Sequence, residues 1–296
     1  MKIGPHDLVL EIGSGDNPKL RSDVLCDKLP EDDTQRGGKI VLDRPFIAAD
    51  GQYLPFADKS FDYIICCSVL EHAEDPALFL SELMRVGRGG YIETPTEIGE
   101  RLYGWPYHKW LINLDSSGRL VLKRKVQEGS FGQLFHHLFS TDRTYARFHA
   151  RNHNLFLIQY EWFGKIDYEI VEPDTVLMDL SSRESVERLL SRRDTACRVS
   201  TAVKDRVSMA MRDLIPPRLR RWAKTAVVKG KWRHRRTLQD IKSMIVCPVC
   251  KGQVEWHDRA ISCRDCGRTY TIKNGIPFLL AEEDNHRGTE ARRGVD

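Results

Sequence analysis

The chain has 296 residues, of which 41% are hydrophobic and 30% charged, enough for one α/β domain and a smaller companion. A net charge of +4 is too small to indicate a nucleic-acid-binding protein, and no apolar run approaches the roughly 18 residues of a membrane helix. The first strand is expected within a few residues of Met1, which leaves no room for a signal peptide. Unpaired cysteines such as Cys26 and Cys66 suit a reducing compartment, so we predict a cytoplasmic protein.

A glycine turn follows the first predicted strand. The apolar run from Leu8 to Ile12 ends at Gly13-Ser14-Gly15, a pattern typical of a buried parallel strand that enters a ligand-binding turn. Glu11 interrupts this run, and because a buried, unpaired carboxylate is costly, we expect it to face the turn and hold a positive group. A dinucleotide site is the alternative, but its G-x-G-x-x-G fingerprint needs a third glycine where this chain has Pro18.

Glu11-Ile12-Gly13-Ser14-Gly15 resembles the E-x-G-x-G motif of class I methyltransferases that use S-adenosylmethionine (SAM). The resemblance implies that Glu11, Gly13, Ser14 and Gly15 contribute to a SAM site. The next predicted strand ends at Asp27, where a doubly wound fold places a carboxylate against ribose hydroxyls. Asp43 is a rival for that role.

A third predicted strand ends at Asp50 and continues into Leu54-Pro55-Phe56, followed by Ser60-Phe61-Asp62. This stretch resembles the type 11 branch of class I methyltransferases in both order and spacing. In that branch the acid at the position of Asp50 accepts a hydrogen bond from the adenine amino group, and the backbone N–H at the position of Gly51 faces the ring.

The fourth predicted strand, residues 61–67, leads into Ser68-Val69-Leu70-Glu71-His72, which is similar to the V-L-E-H of the same family. We expect the backbone of Ser68 beside the methionine part of SAM. His72 is either a general base or pocket wall, or a structural residue that packs a loop. Glu93, on the fifth predicted strand, emerges at the same edge of the sheet and is another candidate base.

An insert at about residues 96–151 departs from the α/β pattern and is rich in aromatic residues and histidines. Two apolar stretches around Asp115-Ser116-Ser117-Gly118 predict a hairpin, and we interpret the insert as a cap over the site. Residues 104–110 are the preferred acceptor site, with His108 as a candidate base; a small aromatic core is the alternative. His136-His137 does not predict a metal site, because adjacent side chains point apart.

Residues 154–162 and 165–171 predict an antiparallel pair that closes the sheet, so the first domain is placed at residues 1–175. Residues 176–243 form a predicted basic helical connector, since residues 181–243 hold 18 Lys or Arg against 6 Asp or Glu. This segment suits RNA phosphates, anionic lipid headgroups at a membrane surface, or a solvated helical arm.

Cys247-Pro-Val-Cys250 and Cys263-Arg-Asp-Cys266 have the spacing of two zinc knuckles and predict a closed, structural zinc site. With the residues up to Leu280, the segment resembles the zinc-ribbon proteins that activate tRNA, rRNA and release-factor methyltransferases as separate subunits. We place the ribbon at residues 244–282, packed in cis on the first domain, and predict a disordered tail at 283–296.

The predicted architecture is therefore an α/β, doubly wound, Rossmann-like sheet with an inserted cap, a basic connector and a zinc ribbon. The predicted reaction is methyl transfer from SAM, with His108, His72 or Glu93 as the base. A sugar or other small hydroxylated acceptor is favoured by the cap. A tRNA or rRNA acceptor is favoured by the ribbon and the connector, and a non-catalytic SAM-binding regulator is a third possibility.

Overall fold

A computed structural model describes residues 1–34, 38–126, 131–178, 180–191 and 236–281. The chain divides into two compact units, Met1–Thr175 with Arg236–Asp296, and Val176–Arg235. The connector prediction falls largely, and the tail prediction entirely, outside the described residues. Residues 236–243, assigned to the connector from sequence, lie in the first unit. In the described part of the chain no helix is long and apolar enough to cross a membrane.

The described residues contain thirteen strands and seven α-helices. The strands are β1 Val9–Ile12, β2 Val24–Asp27, β3 Phe46–Ala48, β4 Tyr63–Cys67, β5 Gly89–Pro95, β6 Trp110–Leu114, β7 Leu120–Arg124, β8 Leu157–Phe163, β9 Tyr168–Val171, β10 Val254–Trp256, β11 Ala260–Cys263, β12 Thr269–Lys273 and β13 Ile276–Phe278. The helices are α1 Pro76–Val86, α2 Glu97–Tyr103, α3 Gly132–Thr141, α4 Arg143–Arg151, α5 His153–Phe156, α6 Arg183–Ser191, in the second unit, and α7 Leu238–Ile241.

The main sheet has the order β10-β11-β12-β13-β3-β2-β1-β4-β5-β8. Its centre, β3-β2-β1-β4-β5, is parallel, and β8 pairs antiparallel with β5. The central strands are apolar and buried because both faces of a parallel sheet are covered. This arrangement confirms the predicted Rossmann-like α/β fold.

Helix α1 is the crossover between β4 and β5, and its start follows from two residues. The Asp75 carboxylate accepts a hydrogen bond from the backbone N–H of Leu78 at 3.0 Å, and Pro76 occupies the first turn, where its missing N–H costs nothing. By contrast, residues 13–23 and 49–62 cross between strands without an α-helix. The loops at the carboxyl edge of the sheet are therefore long and supply the site described below.

The cap contains the predicted hairpin, β6 and β7. The prediction for residues 165–171 is wrong, because β9 pairs in parallel with β7 in a separate three-stranded sheet rather than closing the main one. A short turn at Phe163–Lys165 redirects the chain after β8, and Tyr168 then lies opposite Leu120. Only β8 closes the main sheet.

The ribbon strands extend the main sheet beyond β3. Phe278 pairs in parallel with Ala48, and the backbone N–H of Leu279 donates to the Ala48 carbonyl at 2.8 Å. Ile245 forms a bridge with Phe56, within the Leu54-Pro55-Phe56 stretch. A single apolar core contains residues of both parts, so the ribbon packs on the sheet of its own chain.

Candidate functional site

A cavity of about 250 Å³ opens where β1 to β4 end, at the carboxyl edge where open α/β sheets bind ligands. The loops after these four strands line it, together with Phe79 of α1 and Lys109 of the cap. The lining residues that the sequence had singled out are Gly13, Gly15, Asp27, Asp50, Gly51, Ser68 and His72.

Two glycines of the cavity wall stand where a side chain would collide with the protein itself. Gly13 has φ +67°, and a Cβ there would lie 2.2 Å from Val69 Cγ2; a Cβ on Gly51 would lie 2.2 Å from the Phe79 ring. The backbone N–H groups of Gly13 and Ser14 donate to the Cys26 carbonyl. Gly13 and Gly51 therefore let their loops pack closely on Val69 and Phe79, while these two backbone donors are used within the protein.

Glu11 and Ser14 do not line the cavity. The Glu11 carboxylate accepts hydrogen bonds from the Ser22 hydroxyl and, at 2.8 Å, from the backbone N–H of Lys19. Burial raises the pKa of Glu11, and these bonds oppose the shift. Glu11 thus holds the following loop through Oε2, its contact with SAM stays a prediction, and the Ser14 hydroxyl is buried with no partner in the described chain.

Asp27 and Asp50 are both at the cavity wall. Asp27 accepts from the backbone N–H of Gly15 at 3.0 Å and of Leu29 at 3.1 Å. Asp50 pairs with Lys28 Nζ at 2.7 Å and accepts from the Gln52 N–H at 2.8 Å. A carboxylate has about four acceptor sites, so Asp50 retains capacity for a ligand amino group. The rival Asp43 pairs with Arg44 and does not line the cavity.

Ser68 is one of four described non-glycine residues with a positive φ, at +55°. Its strained backbone lies at the end of β4 on the cavity wall, and such strain is found at ligand-binding positions. Together with the two carboxylates and the glycine backbone at positions 13, 15 and 51, this wall fits SAM.

Three side chains form a group beside the cavity: Glu71 and His108, which are buried, and His72, which is half-buried. Their potential ligand atoms all lie within 4.8 Å of one another. The rings of His72 and His108 meet edge to face at 4.6 Å between centroids, and Tyr107 stacks on His72 at 5.5 Å. His72 reaches the cavity wall, and Lys109 lines it beside the group.

Burial shifts the pKa values of Glu71 and His72 away from their usual range. Burial raises the pKa of Glu71 to about 7, because its charged form loses water. Burial and the neighbouring His108 and Lys109 lower the pKa of His72 to about 4. At neutral pH the His72 ring is therefore neutral.

The ion pair between Glu100 and Lys125 fixes the orientation of His108. Its Nδ1 lies 2.5 Å from Glu100 Oε2, and the other oxygen of Glu100 accepts from Lys125 Nζ. Trp105 stacks on the ring at 5.0 Å between centroids. The cap helix α2 and the residue after β7 thus set the orientation of this histidine.

Glu93 lies outside this arrangement. Its Oε2 accepts hydrogen bonds from the Tyr91 hydroxyl at 2.7 Å and from Gln159 Nε2 at 3.1 Å, and it does not line the cavity. Because strand residues alternate between faces, Glu93 shares a face with Tyr91, whereas its neighbour Thr94 contacts Glu71. The prediction of Glu93 as a base is not supported by this geometry.

The four ribbon cysteines come together as predicted. The Sγ atoms of Cys247 and Cys266 lie 3.7 Å apart, and those of Cys250 and Cys263 lie 3.4 Å apart. Tetrahedral zinc with sulfur ligands at about 2.3 Å holds them about 3.8 Å apart, so the cluster fits a closed zinc site. Zinc there organises the ribbon and has no open position for a substrate.

Lys251, next to the first knuckle, joins the ribbon to the sheet. It has φ +60°, and its Nζ lies 2.8 Å from Glu82 Oε2 of α1. Glu82 also binds Arg85 and the backbone N–H of Leu54. Burial alone would raise the pKa of Glu82, but the hydrogen bonds from Arg85 and Lys251 outweigh it and lower that pKa.

Sequence reasoning missed several residues of the site. Glu71 stands inside the V-L-E-H stretch that was noted for His72, and Lys109 stands beside His108, so both had a local signal. Glu100 and Lys125 had none, because their roles depend on how the cap folds over the sheet.

Comparisons with known proteins agree with the two parts of the fold. Residues 27–92 match the Methyltransf_11 family, described as a methyltransferase domain, and residues 242–275 match the family described as Trm112p-like protein. A UPF0434 protein of Hahella chejuensis is 32% identical over 54 residues, 18% of this chain and 90% of that protein. One from Methylobacillus flagellatus is 36% identical over 42 residues, 14% of this chain and 70% of that protein.

Solved structures resemble the chain more distantly. A complex of the Haloferax volcanii Trm112 methyltransferase activator with a putative methyltransferase has 17% identity and a TM-score of 0.34, covering 56% of this chain and 85% of that one. The YcgJ protein of Bacillus subtilis has 21% identity and a TM-score of 0.26 over 32% of this chain, which spans about half, 47%, of YcgJ. The chain therefore carries a SAM-dependent methyltransferase domain in its first part, and its C-terminal part, a Trm112p-like zinc ribbon, belongs to the UPF0434 family.

Proposed function

We propose that this methyltransferase acts on a hydroxyl of a small hydroxylated acceptor, a sugar or glycan precursor. The observation that carries the proposal is the position of the Glu71–His72–His108 group: it adjoins the SAM cavity, and its histidine His72 lines that cavity. A hydroxyl needs activation before it attacks a methyl carbon, since its proton must leave.

The chain's own residues divide the work of the reaction. SAM, when bound, supplies a methyl group on a positively charged sulfur. Asp27 accepts hydrogen bonds from the ribose hydroxyls, and Asp50 accepts one from the adenine amino group. Gly51 allows the adenine ring to approach the backbone. The acceptor oxygen is activated at the Glu71–His72–His108 group, and the cap keeps water away from that oxygen.

The chemistry of the cap next to this group suits a sugar. The Tyr107 ring is 36% exposed and stacks on His72, which offers an apolar face for a sugar ring beside polar groups for its hydroxyls. Lys109 pairs with Glu74, and Lys28 pairs with Asp50. Each of these two lysines at the cavity wall is therefore neutralised by a carboxylate.

An RNA acceptor is the second candidate. The Trm112p-like match and the basic sequence of residues 181–243, with 12 more Lys or Arg than Asp or Glu, favour it. RNA contacts would give a steep loss of binding with added salt.

The experiment offers SAM with two sets of acceptors, a panel of sugars and nucleotide sugars and a pool of unmodified tRNA and rRNA. We expect methylation of a sugar hydroxyl, with a KM raised about tenfold by Tyr107→Ala through loss of stacking, about 1.4 kcal/mol. Phe131→Ala is the matched control, because Phe131 is a 71% exposed aromatic residue of the cap, whereas the Tyr107 ring contacts His72 and His108. Methylation of RNA alone would overturn the sugar proposal.

The proposed place of action is the cytoplasm, with an acceptor that is free or presented at a membrane surface. The seven cysteines among the described residues form no disulfide, as expected in a reducing compartment. Fractionation of cells into soluble and membrane-bound protein, with and without salt, distinguishes a free enzyme from one held at a lipid surface by charge.

A further inference from the structure

We propose that Glu71, His72 and His108 bind a divalent transition-metal cation of the zinc type, at a second site separate from the ribbon cysteines, and that this ion binds the acceptor hydroxyl. The role in activating the acceptor rests on the proposed function, whereas the binding site itself does not.

The donor set is the first argument. Two imidazoles and one carboxylate are the protein ligands of open, catalytic zinc and iron sites. Here their potential ligand atoms lie within 4.8 Å of one another. Ligands at about 2.0–2.2 Å from zinc lie about 3–3.5 Å apart, so small side-chain movements would complete the coordination.

The hydrogen bonds behind His108 are the second argument. Its Nδ1 is bound to the buried Glu100 carboxylate, which leaves Nε2 as the nitrogen that can bind an ion. Glu100 is itself held by Lys125. A carboxylate that orients a histidine in this way is the usual second layer of a metal site, because it fixes the ring and its tautomer.

Glu71 supplies the third argument. Its side chain is buried, with 1% of the residue exposed. One oxygen, Oε2, accepts from the Thr94 hydroxyl at 3.0 Å, whereas Oε1 is buried with no partner among the described residues. An unpaired carboxylate oxygen in such a place costs several kcal/mol, and a cation would satisfy it.

The site has room for a substrate ligand. The chain provides three ligands, and His72 faces the SAM cavity, so the remaining coordination position lies on the cavity side. An acceptor hydroxyl bound there loses its proton to solvent more readily, because the cation stabilises the alkoxide. That oxygen then forms a bond to the methyl carbon as the carbon–sulfur bond breaks, and the electron pair stays on sulfur in S-adenosylhomocysteine.

Zinc titration into the purified, ribbon-loaded protein tests the site by calorimetry, with S-adenosylhomocysteine saturating the cavity. We expect the wild-type chain to take up one Zn²⁺ beyond the ribbon zinc. His72→Ala and His108→Ala should weaken this second site at least tenfold, and Glu100→Gln 10- to 100-fold, as is usual for residues behind a metal ligand. His257→Ala is the matched control, because His257 is an exposed ribbon histidine bound to Ser262.

Each variant must first bind S-adenosylhomocysteine and retain its ribbon zinc, which shows that it is folded. No second zinc in the wild-type protein would overturn the proposal, and so would equal zinc affinity in the wild-type chain and in every folded variant. Because zinc binding is measured without an acceptor, failure of the sugar proposal leaves this result unaffected, and failure of zinc binding leaves the acceptor assay standing.

Discussion

The ribbon cysteines and the Glu71–His72–His108 group differ in how the chain brings them together. Cys247 to Cys266 span 20 residues in two knuckles, and all four ligands are protein thiols. Glu71 and His72 lie on a short 3-10 turn after β4, whereas His108 comes from the cap. The first site is local and closed and therefore structural; the second is assembled by tertiary contacts and borders a cavity, where chemistry is possible.

The two sites also depend on their surroundings in opposite ways. The ribbon has few buried side chains of its own, so zinc and the edge of the main sheet hold it together. The Glu71–His72–His108 group is held together without an ion, because hydrogen bonds to backbone carbonyls attach the cap to the turn that carries Glu71 and His72. The Lys109 N–H donates to the Glu71 carbonyl at 2.7 Å, and Trp110 Nε1 donates to the Ala73 carbonyl at 2.8 Å.

Removing a ribbon ligand should have the largest effect. Cys263→Ser is expected to lose the tightly held zinc and to unfold the ribbon, because structural zinc contributes about 10–16 kcal/mol of apparent binding energy. Metal analysis after gel filtration measures the loss. Cys67→Ser, which removes a cysteine outside the cluster, should keep the zinc; retention of zinc by Cys263→Ser would refute a four-cysteine site.

Removing the ion pair between Lys251 of the ribbon and Glu82 of helix α1 should have the next largest effect. Lys251→Met leaves Glu82 with Arg85 and the Leu54 N–H, and we expect a loss of about 1.5–3 kcal/mol in the free energy of unfolding, typical of a hydrogen bond to a charged group. Urea denaturation measures it. Lys39→Met, at an exposed position, should change stability by less than about 0.5 kcal/mol; equal effects would mean that the Lys251–Glu82 contact does not hold the ribbon.

A substitution at Asp27 tests the proposed ribose contact of SAM in the cavity. Asp27→Asn is expected to weaken SAM binding about 10- to 100-fold, because a charged acceptor of two ribose hydroxyls is replaced by a neutral amide. Calorimetry with SAM measures the change. Asp43→Asn is the matched control, since Asp43 pairs with Arg44 outside the cavity, and a larger effect there would move the ribose site to Asp43.

Glu93 should show the smallest effect. Glu93→Gln keeps hydrogen-bonding capacity toward Tyr91 and Gln159 and removes only a charge outside the cavity, so kcat should change less than about twofold. Steady-state kinetics with the identified acceptor provides the measurement. A loss of kcat of about a hundredfold or more, typical of removing a general base, would restore Glu93 as a catalytic residue.

Several features of the site were predictable because each depends on a few neighbouring residues. The glycine turn, Asp27, Asp50 and Gly51 follow short strands, and parallel strands bring their carboxyl ends to one edge. The β6–β7 hairpin followed from its turn sequence. The partner of β9 was not predictable, because strand pairing depends on where the cap places β7 rather than on the strand's own residues.

The sequence alone indicated the Rossmann-like sheet with its glycine turn and the zinc ribbon, since period, turns and cysteine spacing are local, and its resemblance to class I methyltransferases implied SAM. Only the tertiary structure brought His108 to Glu71 and His72, placed Glu100 and Lys125 behind it, and turned Glu93 away from the cavity. It also made β13 a neighbour of β3, so that the ribbon continues the sheet of the enzyme. These outcomes depend on long-range packing of the cap and the ribbon, and no spacing along the chain encodes them.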